Sequence, residues 1–241
     1  MNSQRSLKQM ISAAFLIAIS IVLTRLLSIT TPFFRIGFGS IPIMIAGIVL
    51  GPKYGFTVGG IADLVGFMMN PAGSFMPGFT LTSAMTGAIP GWIWGMTEQR
   101  EERGFSRTLW IIVGVFSAGL LASIFRVGPL RWEGNQLLVG EIAISFVYIL
   151  GTVVIGIILI AATYFQNQKG NRNGSIGRLF MVVALTNFIC SMGLNTLWLS
   201  LLFGKGFLVL LPGRIILNLV TIPVHTIILF HLSRTFSYFD R

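Results

Sequence analysis

The chain has 241 residues, 54% of them hydrophobic and only 10% charged, with a mean hydropathy of +0.84 and a formal net charge of +10. Soluble domains carry about 25% charged residues, so this composition excludes a soluble fold and describes an integral membrane protein whose polar gaps are too short for a separate soluble domain. In a soluble protein the positive balance would suggest nucleic acid; here the basic residues lie between apolar segments, as topology-setting loops require, and no nucleic-acid partner is expected.

Apolar segments run over 10–29, 40–50, 55–69, 80–96, 108–125, 139–165, 179–202 and 207–232, about eight in all. A bilayer span takes about 20 apolar residues. The first segment follows Arg5 and Lys8. Arg25 interrupts its apolar core and no small-residue cleavage site follows, so it reads as a membrane helix and not as a signal peptide. The second and third fall short of a full span and read as short, tilted, or broken at Gly51-Pro52, where Pro-Lys-Tyr-Gly reads as a tight turn. The stretch from Asn70 to Thr80 holds Pro, Gly and aromatic residues without a charge, which suits a lid over an organic ligand. The polar gaps 97–107 and 166–178 read as solvated loops. Cys190, the single cysteine, excludes an internal disulfide and reads as a packing residue.

Eight spans put both termini on one side of the membrane. With that side cytoplasmic, eleven of the seventeen Lys and Arg fall in inner gaps and termini. Four fall in outer gaps (Arg35, Arg126, Arg131, Lys205), and two, Arg25 and Arg214, inside spans. The bias places both termini in the cytoplasm of a multi-pass cell-membrane protein.

This topology brings a polar set to the outer half or the middle of the membrane. Arg25 is near the outer end of the first segment and Asp63 lies within the third. Asn195 is in the outer third of the seventh, and Arg214 follows Pro212 in the eighth. Ionisable residues at such depth face the bundle interior and pair with one another or with a ligand. A guanidinium binds a carboxylate bidentately or stacks on a planar ring. With Trp198, Phe75 and Phe79 the set describes a pocket for a flat, anionic, heteroaromatic solute. The alternative is that Asp63 pairs with an arginine only to hold helices together.

The motifs of catalysis are missing. The sequence has no G-x4-G-K-[ST], no G-x-S-x-G and no H-E-x-x-H, and Asp63 has no second deep carboxylate, so an enzyme is not expected. His225 and His231 do not have the i, i+4 ligand spacing, and no metal is assigned. Ala14 and Ala18 form a small-x3-small pair, which lets another helix approach closely.

Several motifs occur in one order: Leu23-Thr24-Arg25-Leu26-Leu27-Ser28-Ile29, Arg35-Ile36-Gly37-Phe38-Gly39, Gly51-Pro52, Ala62-Asp63 and Pro77-Gly78-Phe79-Thr80-Leu81. Leu194-Asn195-Thr196-Leu197-Trp198-Leu199-Ser200 and Leu211-Pro212-Gly213-Arg214-Ile215 follow. Together they resemble the folate-specific substrate-binding (S) components of energy-coupling-factor (ECF) vitamin transporters. The resemblance covers 10–97 and 179–232 of a single membrane domain. It implies an all-α bundle of six membrane helices that takes a vitamin, here folate, from outside. It further implies polar contacts from Arg25, Arg35, Asp63, Asn195 and Arg214, stacking by Phe75, Phe79 and Trp198, and a closing loop shaped by Pro77 and Gly78. Ala14 and Ala18 match the face that docks on a membrane coupling (T) subunit. Two separate ATP-binding subunits supply the energy, so no cofactor is expected in this chain. The resemblance also implies that the subunit topples in the membrane to carry the vitamin inward.

The chain departs from the family pattern at 98–178, where a short loop is expected. The extra segments 108–125 and 139–165 read as an inserted two-helix hairpin, with 126–136 as its outer connection. Two other readings stay open: an S component for another vitamin or pterin-like solute, and a non-transporting membrane scaffold subunit.

Overall fold

The computed structural model describes residues 2–26, 28–30, 35–71, 74–97, 131–133, 136–139, 142–145, 176–204 and 206–237. They belong to two compact units, Met1–Arg100 with Ile228–Arg241, and Glu101–Ile227.

The first unit opens with α1 (Asn2–Leu26) and a two-stranded antiparallel hairpin of β1 (Ile29–Thr30) and β2 (Arg35–Ile36). Then come α2 (Ser40–Ile45), which runs into a π-helical turn (Ala46–Leu50), α3 (Pro52–Met69) and α4 (Pro77–Thr97). On α1, Ala13, Leu16 and Ser20 are buried, whereas Leu7, Ile11, Phe15 and Val22 are exposed on the opposite side. In lipid no hydrophobic force draws apolar side chains inward, so small and polar residues are kept for helix contacts. Ser20 illustrates this, donating from its hydroxyl to the Gly39 carbonyl at 2.8 Å.

Glycine joins α3 to α4. Gly55 and Gly87 face each other so closely that a Cβ on either would collide with the other's backbone carbonyl. Gly59 meets Ser83 in the same way, and Gly47 in the π turn meets Gly87 and Gly91. Backbones at this distance gain van der Waals contact along their whole length, the main source of helix association in lipid. The expected break at Gly51-Pro52 is present. Gly51 has φ +98° and ψ 166°, a region almost closed to other residues, and Pro52 occupies the first helical position, where its missing N–H costs nothing. Pro52-Lys53-Tyr54-Gly55, however, is the first turn of α3 and not a tight turn.

The second unit holds a three-stranded antiparallel meander, β3 (Arg131–Glu133), β4 (Gln136–Val139) and β5 (Ile142–Ser145). Glu133 pairs with Gln136 and Val139 with Ile142. This overturns the expectation of a helix beginning at Val139. Two residues separate each of these pairs, Gly134-Asn135 and Gly140-Glu141, and two-residue, glycine-containing links favour hairpins. Short apolar runs do not distinguish strand from helix by periodicity. The expected spans 108–125 and the rest of 139–165 lie outside the described residues.

Further along the chain, α5 (Ile176–Asn187) continues through a π-helical stretch (Phe188–Leu194) into α6 (Asn195–Phe203). Gly204 ends α6 in the left-handed conformation, φ +63°, the usual glycine stop for a helix. The last helix, α7 (Phe207–Ser237), passes from the second unit into the first at Ile228. Among the described residues three helical stretches are long and apolar enough to cross a membrane: Ser6–Arg25, Ile176–Phe203 and Val209–Leu232. The fold is thus a helical, multi-pass membrane fold with small antiparallel sheets added to it.

Candidate solute-binding site

In the first unit the polar set collects where α3 ends and α4 begins. Asp63 is half-buried on α3, and its Oδ2 accepts a hydrogen bond from Thr80 Oγ1 at 2.7 Å. Thr80 lies in the first turn of α4, so the carboxylate sits by a helix N-terminus, where the partial positive charge favours an anion. Among the described residues Asp63 makes no ion pair.

Arg25, in the last turn of α1, reaches the end of α3. Its Nη1 donates to the Asn70 carbonyl at 2.6 Å. Asn70 caps α3, its own N–H bonded to the Gly66 carbonyl at 3.1 Å. The arginine thereby satisfies one of the carbonyls that a helix C-terminus leaves over. Arg25 Nε is buried and has no hydrogen-bond partner among the described residues.

Phe75 packs on Phe67 of α3, ring centroids 5.1 Å apart and planes inclined at 56°, and stays 49% exposed, so one face of the ring is open to a ligand. Pro77, Gly78 and Phe79 are the first three residues of α4. The expected loop is therefore 70–76, and these three stand at its foot instead of forming it. Proline at the first helical position explains the shift.

The second unit arranges its polar groups around Ser191. In the π-helical stretch the Asn195 N–H bonds to the Cys190 carbonyl, five residues back. An ordinary α-helix would send that N–H to Ser191. The Ser191 carbonyl instead accepts from Arg214 Nη1 at 3.2 Å and from Thr196 Oγ1 at 3.3 Å. Asn218 Nδ2 donates to Ser191 Oγ at 3.1 Å and to the Arg214 carbonyl at 2.8 Å. Arg214 is thus held between α7 and the π stretch, with its Nε buried and without a hydrogen-bond partner among the described residues. Asn195 opens α6, and Trp198 follows three residues later on the same side of the helix. Both are half-buried.

Asp63, Arg25 and Phe75 are therefore gathered at one end of the first unit, and Asn195, Trp198 and Arg214 are in the second. Arg35 lies in β2 opposite Thr30, and its side chain is outside the described ones. Thr80, Gly66, Ser191 and Asn218 were not expected from the sequence. Asn218 had one usable signal: it lies four residues after Arg214, hence on the same helical face. Among the described residues no cluster of His, Cys, Asp and Glu is suited to hold a metal.

The first unit holds a guanidinium, a carboxylate and an aromatic face among apolar helices, and the second holds a guanidinium, an amide and an indole; in class this is a polytopic membrane protein. Residues 8–132 match the ECF transporter, substrate-specific component family. The chain belongs to that family, and it is a transport component and not an enzyme. It is similar to the folate transporter FolT of Clostridium novyi (strain NT), 28% identical over 221 residues, which is 92% of this chain and 85% of that protein. Its fold is similar to the crystal structure of FolT bound with folic acid. There the TM-score is 0.58 at 19% identity, over 95% of this chain and 93% of the other.

Proposed function

We propose that this chain is the folate-binding subunit of an ECF-type importer. The observation that carries this reading is the likeness to the Clostridium novyi folate transporter along nearly the whole chain. The chemistry of the candidate site supports it. Folate joins a flat ring bearing N–H donors to a glutamate bearing carboxylates. Arg25 and Arg214 each keep a buried nitrogen unspent, and guanidinium groups suit carboxylates. Asp63 keeps one oxygen for a ring donor. Phe75, Phe79 and Trp198 offer faces for stacking, and Arg35 and Asn195 add polar contacts. Pro77 and Gly78 set the foot of the 70–76 loop that closes over the ligand.

In this reading both termini are cytoplasmic, and the end of the first unit holding Arg25 and Asn70 faces outward. Ala14 and Ala18, exposed on α1, dock on the membrane coupling subunit. Two ATP-binding subunits drive release inward, and this chain holds no cofactor. The core is 10–97 and 179–232, and 98–178 is an insertion. Deleting the insertion tests its role: uptake lost with binding kept assigns it to coupling.

Titration of the purified chain with folic acid, read by tryptophan fluorescence with Trp198→Phe as control, tests the assignment. Saturable binding at one folate per chain is expected, and ligand at 100 times its dissociation constant stabilises the fold by about 2.7 kcal/mol. A folded chain indifferent to folic acid overturns the assignment.

A further inference from the structure

Threonine hydroxyls in these helices mostly fold back on their own backbone. Thr82, Thr86, Thr186, Thr221 and Thr226 each donate to the carbonyl four residues earlier, at 2.7–2.9 Å, which satisfies a hydroxyl where no water is at hand. Thr80 departs from this habit. Its hydroxyl crosses to α3 and donates to Asp63 Oδ2 at 2.7 Å. The carbonyl it would otherwise use, that of Met76, accepts the N–H of Phe79 at 3.0 Å.

We infer that Thr80 is a positioning and specificity-determining residue for the solute, acting through Asp63; this rests on the folate reading above. A hydroxyl has one proton to give, and here it is spent on Oδ2. The carboxylate torsion is soft when untethered, so a tie at one oxygen fixes the plane of the group. What the pair then presents is acceptors alone: Asp63 Oδ1, which has no hydrogen-bond partner among the described residues, and the remaining lone pair of Thr80 Oγ1. Two neighbouring acceptors match a ring edge carrying two neighbouring N–H donors, such as the ring N–H and exocyclic amino group of an aminopyrimidinone. A ring of the same shape with a methyl in place of the amino group leaves an acceptor unpaired among apolar helices, which a site built for hydrogen bonding rejects. Discrimination at the ring edge therefore lies with the α3–α4 pair, and the arginines do not contribute to it.

The test titrates the purified full-length chain with folic acid and with the analogue whose ring 2-amino group is replaced by methyl. The wild-type chain is expected to prefer folic acid by about tenfold or more. Thr80→Val, equal in shape without the hydroxyl, is expected to lose about tenfold in folic acid affinity and little for the methyl analogue. Thr80→Ser is expected to restore the preference, and Thr80→Val added to Asp63→Ala is expected to change nothing further. If Thr80→Val is too unstable to titrate, Thr80→Ala is read in the same way. Equal losses for both ligands, an additive effect on Asp63→Ala, or no preference in the wild-type chain overturns the inference and leaves the folate reading standing. A wild-type chain that binds neither ligand overturns both.

Discussion

Arg25 lies flat across Gly66. A Cβ on Gly66 would stand 3.1 Å from Arg25 Nε and 3.2 Å from Nη2, so the guanidinium packs on the glycine at a distance that a side chain would crowd. The end of α1, the last turn of α3 and the start of the 70–76 loop are joined through this one contact and the hydrogen bond from Arg25 to Asn70.

Gly66→Ala follows directly. The obstructed atoms are the far end of a flexible side chain, so the arginine yields and the fold survives. The thermal midpoint is expected within a few degrees of the wild-type chain, a difference of about 1 kcal/mol or less. Folate affinity is expected to fall a few-fold because the guanidinium must shift by a few tenths of an ångström from its place at the Asn70 carbonyl. Fluorescence titration beside a melting curve separates the two, and unchanged affinity would remove Arg25 from the site.

The glycine contact between α3 and α4 has no such flexibility, because what faces it is backbone. Gly87→Ala is expected to destabilise by about 1–3 kcal/mol or more, the usual cost of overpacking. Gly60→Ala and Gly95→Ala serve as controls. Their Cβ atoms would meet only the Ala84 side chain at 3.8 Å or open space, respectively, and replacing helical glycine by alanine there is expected to gain about 0.5–1 kcal/mol. Thermal unfolding in detergent ranks the three, and a tolerated Gly87→Ala would contradict the close approach.

Arg214 is held by one carbonyl and one neighbouring amide. Arg214→Ala is expected to weaken folate binding at least tenfold, about 1.5–3 kcal/mol for a charge-assisted hydrogen bond, while the chain still folds. Asn218→Ala, which touches Arg214 only through its backbone, is expected to cost about 1 kcal/mol of stability and a smaller part of the affinity. If Asn218→Ala weakens binding as much as Arg214→Ala, Arg214 acts through the frame and not on the ligand.

Ala14 and Ala18 stand on the exposed side of α1 together with Leu7, Ile11, Phe15 and Val22. Replacing both by leucine is expected to leave folate binding by the isolated chain unchanged and to abolish uptake in cells that supply the energising subunits. Uptake at the wild-type rate would place the docking face elsewhere.

What the sequence made legible was chemistry at the wrong depth. Asp63, Arg25 and Arg214 stood out because a charge in lipid needs a reason, and Gly51-Pro52 marked a real corner because both residues have narrow backbone preferences. Pairing between elements was not legible. Gly55 and Gly87 are two among 28 glycines, and only packing says which face each other. Thr80 had the same local appearance as Thr82 and Thr86, yet its hydroxyl went to another helix. The strands at 136–139 and 142–145 were hidden in a run whose apolar content resembled the start of a span.

The π-helical stretch at Phe188–Leu194 carries a consequence for how this site tolerates change in length. Each residue of an α-helix turns the chain by about 100°, and a π turn is an α-helix with a residue added. The wider turn absorbs that residue, so deleting one there would restore an ordinary α-helix and leave Asn195 and Trp198 near the face they now hold, with the Ser191 carbonyl returned to the helix's own hydrogen bonding. A second deletion, with no added residue left to remove, would turn both by about 100°. The added residue therefore gives this half of the chain an open Ser191 carbonyl for Arg214, and a single deletion between Asn187 and Asn195 is expected to cost that hydrogen bond before it turns the face that follows.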